Sequence, residues 1–285
     1  KNTIVTCAWP DQLAARWPEG FDAVMTDAPC SGEGMFRRVP ESRTEWSREQ
    51  AKGCAQRQRE ILTEAAKLVR PGGRLVYSTC TYNPEENEEN AEWFLKEHPD
   101  YETEPFSIGG INAPEGRYTC YPHRMKTEGQ FVALFRRRGN GTAELPEDRS
   151  LPKSQRDETT TLKNAFPAFP EATHKLGNTL IYLKECPDLQ GIKVIRAGMH
   201  LGEVRGRIAI PDHAAAMSTD PPDIQTLEVD AKNAARFMAG ETISMENDGW
   251  ILIRYRGLIL GWGKGSGGII RNHYPKGLRN GRLIP

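Results

Sequence analysis

Two cysteines stand in segments of similar design. Cys30 lies in Asp27-Ala28-Pro29-Cys30-Ser31-Gly32, and Cys80 lies in Tyr77-Ser78-Thr79-Cys80-Thr81. Each follows a strand-like run, residues 21–27 and 74–78, and a helix-like stretch over 49–69 separates the two. In a doubly wound α/β sheet this order puts both thiols at the carboxyl ends of neighbouring parallel strands, the crevice where such sheets bind ligands. A thiolate is the strongest common side-chain nucleophile. Acyl transfer would need a partnered histidine, and none lies near either segment in sequence. A redox pair usually has C-x-x-C spacing, which is absent. Thiolate addition to an aromatic ring fits better. Carbon 5 of cytosine is too weak a nucleophile to accept a methyl group directly. Addition of a thiolate at carbon 6 turns the ring into an enamine, whose carbon 5 can attack a methyl sulfonium. A second group must then help remove the carbon 5 proton and expel the thiolate.

The elements that must hold these thiols form the first block, residues 2–138, which reads as alternating strand and helix and hence a mostly parallel sheet. An apolar run at 3–7 and a weak helix at 11–15 precede the first cysteine strand. The long helix stops at Pro71-Gly72-Gly73. Asn83, followed by Pro84, Glu85 and Glu86, reads as the cap of a helix running to Lys96. Its acids, residues 85–92, read as a solvated face. A strand at 131–135 closes the block. Residues 139–153 are a linker by composition. Short strands follow at 179–184, 193–196 and 203–208, then a break at Pro221-Pro222, a helix at 229–239, and a hairpin of 250–254 and 258–262 around Arg256-Gly257.

The chain has 285 residues, enough for two or three domains. With 38 Lys and Arg against 38 Asp and Glu it is no bulk polyanion binder. Local charge is uneven, however. Residues 241–285 carry Arg254, Arg256, Lys264, Arg271, Lys276, Arg279 and Arg282 against Glu241, Glu246 and Asp248, a basic tail. Trp262, His273 and Tyr274 are mixed into it, a pattern that suits RNA. Six cysteines in a chain of this size are no disulfide framework, and none has a zinc-ligand spacing. No stretch approaches a membrane span and no signal peptide is visible, so a reducing cytoplasm is expected. Cys7, Cys54, Cys120 and Cys186 lack comparable context and read as structural; His123 and His200 read as turn or packing residues.

The two cysteine segments, Asp27–Gly34 and Ser78–Thr81, resemble motifs IV and VI of the NOL1/NOP2/Sun RNA cytosine-5 methyltransferases. Arg57-Gln58, Leu68-Val69-Arg70-Pro71-Gly72-Gly73, Asn83-Pro84-Glu85-Glu86-Asn87-Glu88, Tyr121-Pro122-His123 and Gly129-Gln130-Phe131-Val132-Ala133 extend the likeness. Farther on, the run from Lys193 to Gly202, and Gly261-Trp262-Gly263-Lys264 with Arg271–Arg279, are similar to the C-terminal domains of bacterial 16S ribosomal RNA members. The resemblance implies an α/β fold: the C-terminal part of a Rossmann-like methyltransferase sheet (1–139), then small α+β or β-rich RNA-binding domains at 150–218 and 219–285, the last PUA-like. It implies S-adenosylmethionine as donor and 16S rRNA or the small ribosomal subunit as partner. By motif, Cys80 is the nucleophile, Cys30 assists release of the methylated base, and Asp27 contacts the donor or the cytosine. Lys264, Arg271, Asn272, Lys276 and Arg279 are the expected RNA contacts, and no metal is expected.

The family's Gly-rich donor loop and its following acid are expected before residue 1 and are not in this sequence, while the glycines of 261–268 fall in a hairpin far from the thiols. A bare apolar sheet edge is therefore expected, along with weak or no donor binding by this chain alone, and the missing N-terminal part as a possible partner. The rival from another class is a non-catalytic RNA-binding or ribosome-assembly module built on the two C-terminal domains. A thiol-dependent hydrolase would need a histidine–cysteine contact.

Overall fold

The computed structural model describes residues 3–146, 151–218 and 224–280. They fall into two bodies: residues 8–146, and residues 3–7 together with 151–218 and 224–280. The first elements are β1 (Ile4–Cys7), α1 (Pro10–Arg16), β2 (Phe21–Asp27), α2 (Ser42–Glu45), α3 (Arg48–Leu68), β3 (Val69–Thr79) and α4 (Glu88–Glu97). Short strands β4 (Tyr101–Thr103), β5 (Phe106–Ile108), β6 (Ile111–Ala113) and β7 (Arg117–Cys120) then lead to β8 (Gln130–Arg137).

In the body of residues 8–146 the sheet order is β2-β3-β8-β4, with β7 also paired to β8. The pair that carries the cysteines, β2 and β3, is parallel as expected. The pairings of β8 with β3, β4 and β7 are antiparallel, so the described sheet is mixed rather than mostly parallel. The sequence reading missed β4 to β7 because each has only three or four residues, too few to show a period. β2 lies at the sheet edge among the described residues, with Met25 69% exposed. Unpaired edges of this kind template association.

α3 forms because its apolar positions recur at helical spacing. Ala51, Ala55, Leu62, Ala65 and Ala66 are buried on one face, and Gln58 shares that face. Ser47 caps it by accepting from the Gln50 N–H at 3.0 Å. The helix ends at Leu68, three residues before Pro71, since the chain is already extended at Val69. Its face packs with Leu75, Tyr77, Phe94, Phe131 and Phe135 into the core of this body. A second difference concerns α4, which begins at Glu88 and not beside Asn83. Asn83 does accept from Glu85 N at 2.9 Å, but residues 84–87 turn inward before the helix starts.

The other body holds α5 (Arg156–Ala165), β9 (His174–Leu176), β10 (Thr179–Tyr182), β11 (Lys193–Ala197), β12 (Met199–Arg205), β13 (Ile208–Pro211) and α6 (His213–Ala216). These are followed by β14 (Thr226–Glu228), α7 (Ala231–Ala239), β15 (Ile243–Ser244), β16 (Gly249–Tyr255), β17 (Leu258–Ser266) and β18 (Ile269–Asn272). The strand expected at 203–208 is interrupted: residues 203–205 end β12, Ile208 opens β13, and a turn at Gly206 and Arg207, the former at φ +61°, lies between them. The hairpin at Arg256-Gly257 stands as expected; both residues have positive φ, 49° and 76°, matching the twist of two-residue hairpin turns. β1 differs in its partner: it pairs antiparallel with β11 instead of joining the cysteine strands. Pro221-Pro222 and Arg282 lie outside the described residues.

One aromatic core spans this body. Trp262 is fully buried, lies 5.7 Å from the Phe166 ring, and donates its indole N–H to the Asp212 carbonyl at 2.8 Å. Leu162, Leu180 and Leu201 share that core with Leu252.

Candidate active site

Parallel pairing of β2 and β3 puts Asp27 opposite Ser78, so the turns that follow leave the sheet side by side. Ala28 N–H donates to the Ser78 carbonyl at 3.1 Å, extending the pairing past the strand. The Cys30 and Cys80 sulfurs consequently lie 3.2 Å apart, and the Cys80 N–H donates to the Cys30 sulfur at 3.3 Å. Both are free thiols of intermediate exposure, reachable by a ligand.

At this separation the two sulfurs share a proton, and their surroundings decide which keeps it. Cys80 is brought down from 9.0 to about 7, first because the Cys30 thiol hydrogen-bonds to its thiolate; burial and the charges of Asp27 and Glu86 oppose this without prevailing. Cys30 is pushed far up: it gives that hydrogen bond, it is buried, and it faces the Cys80 charge. Near neutral pH the pair therefore holds its charge on Cys80 and its proton on Cys30.

A buried polar brace fixes the Cys30 turn from both sides. The Pro29 carbonyl accepts from Gln58 Nε2 at 2.9 Å, and the Ser31 N–H donates to Glu86 Oε2 at 3.0 Å. Gln58 Nε2 also donates to that Glu86 oxygen at 2.8 Å, closing a loop of contacts around the cysteine. Gln58 Oε1 in turn accepts from Tyr77 and from Asn90, both at 2.9 Å. Opposite, Ser31 Oγ meets Thr81 Oγ1 at 2.9 Å, and Asn87 Nδ2 donates to the Thr81 carbonyl at 3.0 Å, tying the Cys80 turn to the same network. Glu86 has 0% exposure, as do Asn87 and Asn90, so these members of the 85–92 run are not solvated. The inward turn at 84–87 delivers Glu86 there, and burial raises its pKa against the hydrogen bonds from Ser31 and Gln58. The sequence did hold a signal. Gln58 falls seven residues from Ala51 and Ala65 on the apolar face of α3, a place where an amide needs buried partners.

Two glycines let backbone crowd around Cys80. Gly34 N–H donates to the Cys80 carbonyl at 2.9 Å, and a Cβ at Gly34 would lie 2.8 Å from that oxygen and 2.9 Å from the Gly129 carbonyl. Asp27 is exposed at the end of β2 and accepts from Ser78 Oγ at 3.3 Å. Beside Pro29 opens a cleft of about 630 Å³ lined by Trp9, Asp11, Arg57, Glu60 and Ile61, which sequence reasoning did not find.

The expected RNA-contact residues lie in the other body. Lys264 and Arg271 oppose one another across β17 and β18, and Lys264 Nζ stands 5.3 Å from the Trp250 ring centre. Arg271, Lys276 and Arg279 are exposed, with Arg279 Nη2 donating to the Tyr274 carbonyl at 3.4 Å. Asn272 departs from the expectation. Its Nδ2 donates to the Phe237 and Glu241 carbonyls at 2.7 and 2.9 Å, and its Oδ1 accepts from Tyr274 N at 2.8 Å. Both ends of the amide are thus engaged in closing the end of α7, which removes it from the contact set. His200, expected to pack, is half-buried with Nδ1 3.9 Å from an Asp212 oxygen.

Residues 1–136 match the family described as 16S rRNA methyltransferase RsmB/F. Residues 160–218 match the RsmF rRNA methyltransferase first C-terminal domain, and 224–280 match the methyltransferase RsmF PUA domain. The ribosomal RNA small subunit methyltransferase F of Klebsiella pneumoniae (strain 342) is 29% identical over 95% of the chain and 62% of its own length. That of Enterobacter sp. (strain 638) is 30% identical over 95% of the chain and 61% of its length. The chain thus spans about three-fifths of these curated relatives. NSun6 from Pyrococcus horikoshii is 31% identical over 41% of the chain and 30% of its own, with a TM-score of 0.34, too low to bear weight. The three matches lie along one chain and point the same way as the paired thiols: residues 1–136 match the RsmB/F methyltransferase family, and the two segments that follow match the C-terminal domains of its RsmF members.

Proposed function

We propose that this chain is the two-cysteine part of an RNA cytosine-5 methyltransferase that modifies 16S rRNA, free or within the small ribosomal subunit, in the cytoplasm. The observation that carries the reading is the 3.2 Å contact between the Cys30 and Cys80 sulfurs at the ends of two parallel strands. Cys80, charged near neutral pH, adds to carbon 6 of a cytosine and drives the ring electrons toward carbon 5. S-adenosylmethionine supplies the electrophilic methyl group that carbon 5 takes. The ring then holds a carbon 5 proton and a carbon–sulfur bond, and both must go. Once Cys80 is a neutral thioether, the two influences it exerts on Cys30, its hydrogen bond and its charge, are gone. Cys30, partly open to solvent, then gives its proton to water and as a thiolate accepts the carbon 5 proton, while the electron pair left behind re-forms the double bond and expels Cys80 as thiolate. The target base must be unstacked for carbon 6 to reach the sulfur.

The part of a donor site carried here suits S-adenosylmethionine. The cleft beside Pro29 offers the exposed indole of Trp9 and the acid of Asp11, and Asp27 stands at the strand end with a carboxylate suited to an ammonium group or a cytosine amine. We further propose that the segments 160–218 and 224–280 act as one RNA-holding body, since the Trp262 core runs through both. Lys264, Arg271, Lys276 and Arg279 are its phosphate contacts.

The test uses the intact protein with S-adenosylmethionine and a 16S-derived RNA bearing 5-azacytidine. A covalent adduct should form and map to Cys80 by mass spectrometry, and Cys80→Ala should abolish it. With ordinary cytosine, Cys30→Ala should accumulate an adduct that wild type releases. Absence of any wild-type adduct would sink the mechanism.

A further inference from the structure

Around the Cys80 turn the structure gathers rings and cations that the proposed chemistry does not use. Tyr82, two residues past the nucleophile, stacks on Tyr121 with centroids 5.5 Å apart and planes at 24°. Tyr121 is also packed by the exposed ring of His123 at 5.3 Å and 34°, and by the Arg124 guanidinium 5.6 Å from its centre. Tyr82 is held rigidly: its N–H donates to Glu33 Oε2 at 3.1 Å and its hydroxyl to the Glu128 carbonyl at 2.5 Å. The loop carrying Tyr121 to Glu128 is locked to this turn, because Gly129 abuts the Tyr82 ring and its carbonyl lies beside Gly34, which bonds the Cys80 carbonyl. The cations nearby differ in their freedom. Arg37 is paired with Glu128 at 3.2 Å, whereas Arg38, Arg124 and Lys126 are exposed and have no ion-pair partner among the described residues.

We infer that the Tyr82–Tyr121–His123 stack is a platform for a nucleotide flanking the target cytosine, with His123 as its base-stacking face and Arg38, Arg124 and Lys126 as contacts to the adjoining phosphates. The ligand is single-stranded RNA, and the inference rests on the reading of Cys80 as the group that attacks cytosine. Proximity gives the platform its purpose: a base drawn from its stack to meet Cys80 leaves neighbours that need a replacement surface. Aromatic faces provide one with little sequence preference, and unpaired arginines and lysines track the backbone.

The test is binding of a nine-nucleotide single-stranded RNA with a central cytosine and 2-aminopurine as its 3′ neighbour, using the intact protein. Wild type should quench the 2-aminopurine. His123→Ala should weaken affinity about tenfold and lose the quench, and His123→Phe should restore both. Arg124→Ala and Lys126→Ala should each flatten the salt dependence by roughly one phosphate contact. Since His123 is exposed, its variant tests contact and not folding. Affinity and quench unchanged in His123→Ala would overturn the platform, even if 5-azacytidine RNA is still trapped on Cys80. Trapping that fails in wild type, together with weakened binding in His123→Ala, would leave the platform standing and remove the methyl-transfer chemistry.

Discussion

Glu86 accepts the N–H of Ser31 at 3.0 Å across 55 residues of sequence, and this bond holds the Cys30 turn against the Cys80 turn. Glu86→Ala would strand that N–H and one Gln58 amide hydrogen in a site without water access. A loss of about 1–3 kcal/mol is expected, read as a lower urea midpoint. Glu86→Gln keeps an acceptor oxygen in place and should lose less.

The same residue predicts a pH effect. Burial raises the pKa of Glu86 in the folded state above 4.5, so the folded form binds the proton more tightly than the unfolded chain does. Stability from this group is therefore greatest below the unfolded pKa and is lost as pH rises through the folded one. Glu86→Gln does not titrate. Wild type should gain stability relative to that variant as pH falls toward 4.5, measured by denaturant unfolding across pH. A constant difference would contradict the assignment.

Thiol titration separates the two cysteines. Cys80 should alkylate with iodoacetamide along a curve with its midpoint near 7, reacting ahead of Cys54 and Cys120, whose thiols burial pushes up. Cys30→Ala removes the hydrogen bond that favours the Cys80 thiolate, so the Cys80 midpoint should rise. Cys80→Ala removes the hydrogen bond and charge that hold the Cys30 proton, so the Cys30 midpoint should fall. Peptide mass spectrometry against pH reads all three shifts.

Gly34→Ala places a methyl group 2.8 Å from the Cys80 carbonyl and 2.9 Å from that of Gly129, both backbone atoms that cannot swing aside. We expect a cost of about 1–3 kcal/mol and slower alkylation of Cys80. Unchanged Cys80 reactivity would mean that the turn does not depend on this approach.

Trp262→Ala empties the centre of the C-terminal core and frees the Asp212 carbonyl. A loss of about 3–5 kcal/mol is expected. Because one core serves both segments, 160–218 and 224–280 should melt in a single transition, and two transitions in wild-type calorimetry would argue for separate bodies.

Much of the site was legible along the chain. The strand–helix–strand order around Cys30 and Cys80 has a long helical period on one side and turn residues on the other, and those local preferences survive in β2, α3 and β3. The hairpin at Arg256-Gly257 was legible for the same reason, since Gly257 tolerates the positive φ that such a turn requires. Glu86 was not legible. An acid among acids looks solvated until an inward turn buries it, and nothing in residues 85–92 announces that turn. Asn272 misled in the opposite sense, because a polar residue in a basic run is consumed inside the fold as readily as outside it.

By itself the sequence determined which atoms could react, because the residues flanking each cysteine set a strand end and a turn through local propensity. Tertiary structure alone brought the two sulfurs to 3.2 Å and so drove their proton affinities apart. A pKa depends on burial, on hydrogen bonds and on charges from Asp27, Glu86 and the other thiol, and these meet only when segments some 50 residues apart fold together.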